Sequence, residues 1–198
     1  MTPSDMAINY EHKLLQRLAA GDETAFRELF ELYYPKVLGF VGCIIKHSAT
    51  AEDIAQDIFA KIWERREQFD DGDMYSLGGY IYRMARNASL NALRRTAACN
   101  VDFSQISDRE EGMTTQCDAS LEEEYYAREK ELFIKLVVCR MPEQRRRIFE
   151  MSRYMGMDNQ TIADALHLSK KTVENHLTLA LKQLRNALAL FSALFYIN

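Results

Sequence analysis

The sequence predicts an all-α fold: two small helical domains joined by a flexible linker. Three observations predict it. Only 8 Gly and 3 Pro punctuate 198 residues, too few for the turns of a many-stranded sheet. Leu, Ala, Glu, Arg and Met, which lose little on entering a helix, are plentiful. Apolar residues also recur at helical spacing almost without a break from Tyr10 to Arg95, and again from about Leu121 to Leu194. With 47% apolar residues, the chain can fill a core in one large or two small domains.

The first domain is expected over residues 10–96. Breaks near Gly21-Asp22, at His47 to Thr50 and at Asp70 to Gly79 divide it into roughly four helices. In AEDIAQDIFAKIWERRE, Ile54, Ile58 and Ile62 recur every four residues and face a core. Asp53, Gln56, Asp57, Ala60 and Glu64 occupy the other side, an acidic strip flanked by Phe59 and Trp63. Such a strip is either solvated or a docking surface. Three carboxylates alone do not make a metal site here, because neither a histidine nor a matching second helix accompanies them.

The next stretch, GGYIYRMARNASLNALRR, interleaves Tyr80 and Tyr82 with Arg83, Arg86, Arg94 and Arg95, with Asn87 and Asn91 between. Aromatic rings that stack on bases beside arginines that hold phosphates suit single-stranded or opened DNA. The competing reading puts the tyrosines in a core and the arginines in solvent.

Residues 97–120 are polar, weakly periodic and carry a Gly, so they read as the linker. The second domain is expected over 121–194. Met141-Pro142-Glu143 opens a helix, Pro being tolerated in the first turn, and Gly156 closes it. Asp158 caps a short helix with Ile162, Ala163 and Leu166 inward. The chain turns through His167-Leu168, and Ser169 caps a long helix with Val173, Leu177, Leu181, Leu184 and Leu188 as an unbroken buried stripe.

Lys170, Lys171, Thr172, Asn175, His176 and Lys182 then face outward. A short helix, a tight turn and a longer helix with a polar exposed start form a helix-turn-helix. Lys170 and Lys171 can neutralise phosphates, the free N–H groups after Ser169 can hold another, and Thr172 or Asn175 can bond base edges. Arg145, Arg146 and Arg147 add charge upstream. Glu174, near that face, would repel phosphates but can accept from a cytosine amine. An amphipathic hairpin with a solvated face is the plainer reading of the same segment.

The net charge of −4 averages opposing blocks. Residues 1–80 are net −6 and 81–100 net +4; residues 101–124 are net −7 and 125–198 net +5. Local charge, not the average, governs contact with phosphates. Cys43, Cys99, Cys117 and Cys139 lack the spacing of a metal site and are expected to be reduced. The N-terminus lacks the basic and apolar regions of a secretory signal, so a cytoplasmic location is expected. The apolar stretch Leu188 to Ile197 is about half of a bilayer span and is expected to end a helix or cover a core, by packing on the terminal domain or by burial against a protein partner. No phosphate-binding Gly-rich loop occurs; no catalytic group, cofactor or small-molecule substrate is expected.

Together, AEDIAQDIFAKIW, then YRMARNASLNALRR, a linker and a C-terminal helix-turn-helix resemble the extracytoplasmic-function (ECF) group of bacterial RNA polymerase sigma factors. The likeness covers about residues 14–96 and 125–188, and GDETAFRELFELYYPKVLGF is similar to the family's opening helix. The resemblance implies that Asp53, Gln56 and Asp57, with Trp63 beside them, bind the clamp helices of the polymerase core. It implies that Tyr80 to Arg95 melts and reads the minus-10 element, and that the loop Phe69 to Gly79 holds a base flipped from the non-template strand. Lys170 to Lys182 would read the minus-35 element while the last domain touches the polymerase flap. An anti-sigma factor, often membrane-anchored, would cover the polymerase-binding surfaces. Two positions depart from the family pattern: Tyr80 stands where Trp is common, and Asn91 where Asp is common, which removes a charge. Two other classes share parts of this pattern, a helix-turn-helix regulator that is not a polymerase subunit and a helical adaptor that binds only protein.

Overall fold

The computed structural model describes residues 3–69, 77–96 and 119–195, and among them every regular element is helical. Helix α1 spans Pro3–Ala19, α2 Glu23–Ile44, α3 Ser48–Glu64 and α4 Leu77–Thr96, with a short 3-10 turn at Arg66–Phe69 between the last two. Helix α5 spans Ala119–Cys139, α6 Glu143–Arg153, α7 Asn159–Leu166 and α8 Lys170–Phe195. The four expected N-terminal helices are therefore present, with the breaks near Gly21-Asp22 and at His47; of the break expected at Asp70 to Gly79, residues 70–76 lie outside the described residues and Leu77 already belongs to α4. No helix among the described residues is long and apolar enough to cross a membrane.

Local chemistry sets the boundaries. Gly21 takes the left-handed conformation (φ 81°) that ends α1, a backbone state open to Gly at little cost. Asp22 then caps α2, its Oδ1 accepting from the Thr24 and Ala25 N–H groups at 2.8 and 3.4 Å. The Thr24 hydroxyl and the Arg17 guanidinium also bond this carboxylate and hold it well below the usual carboxylate range. The start of α4 is capped from elsewhere: Glu11 of α1 accepts from the Leu77 N–H at 2.8 Å. Burial pushes the Glu11 carboxyl up despite the bonds from Leu77 and Gly78.

Two apolar clusters result. The smaller joins Ile148 of α6, Ile162 and Ala163 of α7 and Val173 of α8, with Met151, Met157, Leu166, Leu168 and Leu177 around it. The larger is built from α1 to α4 and includes Leu29, Tyr33, Phe40, Ile58 and Ile62. Helix α5 joins it through Phe133, stacked on Phe40 at 4.6 Å between ring centres.

The distal half of α8 also belongs to the larger core. Ala180, Leu184, Ala187, Phe191 and Leu194 are buried there. Phe191 sits 5.1 Å from Tyr82, 5.2 Å from Tyr126 and 5.5 Å from Phe133. The expected stripe is corrected accordingly. Leu181 is 40% exposed, because the buried side of α8 passes through Ala180 one position earlier. The apolar tail does continue a helix, and it packs on α5 of the terminal domain as well as on α2 and α4 of the N-terminal one.

Two smaller expectations also change. Phe59 does not flank the acidic strip but lies in the core, edge-on to Phe30 at 5.0 Å. Cys139 is held in a disulfide, whereas Cys43 is free. Spacing along the chain gave no sign of that pairing.

Candidate nucleic-acid and polymerase interfaces

The helix-turn-helix is fixed by two caps and one left-handed residue. Asp158 Oδ1 accepts from the Gln160 and Thr161 N–H groups at 2.8 and 3.1 Å, and Oδ2 from the Thr161 hydroxyl at 2.6 Å. These bonds lower the Asp158 carboxyl, the Thr161 hydroxyl most of all. His167 at φ 53° ends α7, and the Leu168 N–H bonds the Ala163 carbonyl at 2.9 Å. Ser169 Oγ accepts from the Thr172 N–H at 3.1 Å and meets the Thr172 hydroxyl at 2.8 Å, so both expected caps form.

At about 100° per residue, Lys171, Asn175, Thr178 and Lys182 fall within a narrow arc of α8, all four exposed. The buried row from Val173 through Ala180, Ala187 and Phe191 lies opposite. Lys170 is exposed on the flank, and Glu174 is exposed at the edge of the arc. Thr172 is half-buried and its hydroxyl is engaged by Ser169. His176 is also half-buried, nearer the core side, with its Nδ1 enclosed and unbonded; that position does not suit a groove contact. Thr178 belongs to the arc although it was not singled out from sequence; its spacing of three from Asn175 was the available signal. Upstream, Arg147 is exposed, while Arg145 bonds Gln183 Oε1 at 3.1 Å and Arg146 the Cys139 carbonyl at 3.3 Å.

On α3, Asp53, Gln56 and Asp57 are all exposed, opposite the row Ala51, Ala55, Ile58 and Ile62. Trp63 is half-buried at the side of this strip, 5.1 Å from Phe26, with the Arg66 guanidinium over its ring at 4.7 Å. Beside it, Glu23, Phe26, Arg27, Phe30 and Trp63 line an open groove of about 420 Å³. An exposed acidic strip lies beside a partly covered indole, the side chain of a residue type enriched among interface hot spots.

The eight α4 residues separate by exposure. Asn91, Arg94 and Arg95 are exposed near its end, and Tyr80, Arg83 and Asn87 are half-buried. Tyr82 is fully buried and Arg86 is 7% exposed. The Tyr82 hydroxyl donates to Glu129 Oε2 at 2.9 Å, and Arg86 forms an ion pair with Glu129 Oε1. Arg86 also donates to Asn87 Oδ1 at 3.0 and 2.8 Å. Glu129 itself was not read as a functional residue. Its signal was a carboxylate four residues before Phe133 and seven before Leu136, on the apolar side of α5. The loop expected to hold a flipped base lies, over 70–76, outside the described residues.

Among the described residues no group of three or more His, Cys, Asp and Glu is gathered to hold a metal ion. The fold and these surfaces define a class, a helical protein with a helix-turn-helix and a separate exposed acidic strip. The family model described as Sigma-70 region 2 matches residues 29–99, and that described as Sigma-70, region 4 matches 134–184, together more than half of the chain. The chain is 27% identical over 164 residues to the ECF RNA polymerase sigma factor RpoE of Cereibacter sphaeroides, covering 83% of this chain and 86% of that protein. It is 24% identical over 192 residues to SigK of Mycobacterium tuberculosis, covering 88% and 91%. A solved structure of CnrH in complex with the cytosolic domain of CnrY shares 18% identity and a TM-score of 0.39 over 90% of this chain and 96% of that one. The chain belongs to the sigma-70 family, as a sigma factor of the ECF type, the kind that directs RNA polymerase to promoters.

Proposed function

We propose that this sigma factor docks on polymerase core through Asp53, Gln56 and Asp57 of α3, with Trp63 and its groove taking an apolar side chain of the clamp. Residues 10–96 then form the domain that meets the minus-10 element, and 121–194 the domain that meets the minus-35 element and the flap, with 97–120 linking them. On α8, Lys171 and Lys182 hold phosphates and Asn175 and Thr178 face base edges, while the N–H groups at the start of the helix receive a further phosphate. On α4, Asn91, Arg94 and Arg95 supply the first contacts to the opened strand.

The observation that carries this reading is the exposed polar arc of α8, set opposite its buried row and behind a capped turn. The factor acts stoichiometrically: strand opening is driven by capture of unstacked bases in the assembled polymerase, with no hydrolysis by the factor. We place it in the cytoplasm with the polymerase, under the control of an anti-sigma factor as the ECF resemblance implies. The test is retention by polymerase core followed by run-off transcription across genomic promoters. Stimulated initiation at a defined set is expected; core binding with no stimulation anywhere would leave only the protein-adaptor reading.

A further inference from the structure

The turn between α6 and α7 gathers thioethers that the promoter role does not use. Gly156, at φ 67°, folds the chain back after α6, and the Met157 N–H bonds the Met151 carbonyl at 3.1 Å. Both side chains are half-buried and pack around the small apolar cluster of Ile148, Ile162, Ala163 and Val173. Met155, between them along the chain, is 69% exposed. Met157 also precedes Asp158, whose carboxylate caps α7. The helix-turn-helix is thus closed by side chains that include two partly accessible thioethers. The smaller the cluster, the larger the share of its apolar contact that each covering chain supplies. Met141, by contrast, is only 2% exposed and lies inside the larger core.

We propose that Met151 and Met157 form an oxidation site for hydroperoxides, and that sulfoxide there opens the helix-turn-helix and lowers its hold on a promoter. The effect on promoters rests on the sigma reading above; the site itself does not. With hydrogen peroxide, a sulfur lone pair attacks one peroxide oxygen, an S–O bond forms and the O–O bond breaks with hydroxide as leaving group. The proton of the sulfur-bound oxygen passes to that hydroxide, giving sulfoxide and water; sulfur loses two electrons and the peroxide gains them. A flexible apolar side chain becomes a polar one. Pressed on aliphatic neighbours, the S–O group forfeits its bonds to water unless the turn opens, because burying a polar group without a partner is costly. Opening lifts Met157 off the cluster and disturbs the Asp158 cap beside it. Helix α3 is anchored in the larger core, so its acidic strip is kept. Met155 is already in water and takes the same oxygen without conflict. The position of the sulfoxide, not its presence, decides the effect.

The test treats the full chain with hydrogen peroxide and then dithiothreitol, which returns cysteine sulfenic acids and disulfides to thiols and leaves sulfoxides in place; untreated chains receive the same dithiothreitol. Burial pushes the Cys43 thiol up, which keeps it protonated and slow to react. Peptide mass mapping should find oxygen on Met155 first, on Met151 and Met157 next, and on Met141 last. Melting of the oxidised parent should fall by about 5 °C. Polymerase assembled with it should bind a promoter at least about fivefold more weakly, with retention by core unchanged. Met151→Leu with Met157→Leu conserves apolar volume and should resist both losses, whereas Met155→Leu should suffer them like the parent. A methionine sulfoxide reductase should restore the parent. Met151 and Met157 unmodified when Met141 is oxidised, or equal losses in the double Leu variant, would overturn the site. Sulfoxide at both positions with unchanged melting overturns the opening, and lower melting with promoter affinity intact overturns the effect on promoters. If neither chain binds a promoter before oxidation while melting falls in the parent alone, the site stands and the sigma reading fails.

Discussion

Replacing Glu129 by Ala removes a carboxylate shared by two buried donors on α4. Arg86 is 7% exposed and Glu129 8%, and the Tyr82 hydroxyl bonds the second oxygen at 2.9 Å. Removing one member of a buried ion pair costs about 3–5 kcal/mol, because the remaining charge stays in a poorly solvating site. Loss of an acceptor for the buried tyrosine adds about 1 kcal/mol. Against a total stability of about 5–15 kcal/mol, the change is large. At about 2–4 °C per kcal/mol for a chain of this size, melting should fall by roughly 8–24 °C.

The pair Arg86→Met with Glu129→Leu should behave differently. Apolar residues of similar volume remove both charges, and such replacements are near neutral or stabilising. Thermal and urea unfolding of the parent, both single variants and the double variant give the coupling energy directly. A loss under about 1 kcal/mol for Glu129→Ala, or a double variant as unstable as the two singles combined, would show that α5 does not cover α4 in solution.

Lys171→Ala should weaken promoter binding and reduce the slope of log affinity against log salt by about 0.9, the value for one lost phosphate contact; an unchanged slope would place Lys171 off the backbone. Asn175→Ala should relax preference at one base pair of the minus-35 element at a cost of about 1–3 kcal/mol, read by competition among single-position variants. Asp53→Arg with Gln56→Ala should lower affinity for polymerase core while the melting temperature holds, since both side chains point away from the buried row of α3; unchanged affinity in the folded variant would count against docking there. The pH profile should show opposite contributions. Asp22 and Asp158 lie below their ordinary range when folded, so their support is present at neutral pH and fades as pH falls. Glu11 is raised when folded, so its support is greatest below the ordinary carboxylate range and is lost as pH rises through its folded value. Glu11→Gln keeps an acceptor for the Leu77 N–H and should remove that second component from unfolding curves taken between about pH 4 and 7; an unaltered profile would refute the assignment.

What was legible in the sequence was chiefly local. Asp158, His167 and Ser169 act within four residues of themselves, and the helix-turn-helix followed from them. The exposed side of α3 followed from isoleucines at steps of four. Phe59 was misplaced because apolar residues at 58, 59, 62 and 63 cover a wide sector of α3, and the side chains of α2 decide how much of it is covered. Leu181 and Ala180 are adjacent, and a preference for the larger residue chose the wrong one. Tyr82 and Arg86 owe their burial to Glu129, 43 or more residues away, and to Phe191, more distant still. Pairings across such separations leave no periodic trace along the chain.

The Glu11 cap has a consequence for how the molecule can be divided. Most helix-terminating acceptors lie within three residues of the N–H groups they serve, so a helix taken with its own flanks brings its cap along. The acceptor for Leu77 lies 66 residues upstream. Helix α4 is therefore not a portable unit: a fragment beginning after α1, or a chimera receiving α4 alone, would carry Arg94 and Arg95, the proposed strand contacts, on a helix whose first turn has lost that acceptor. The boundary of the smallest transplantable piece that keeps α4 capped is set by a carboxylate on the first helix, well before the residues proposed to meet DNA.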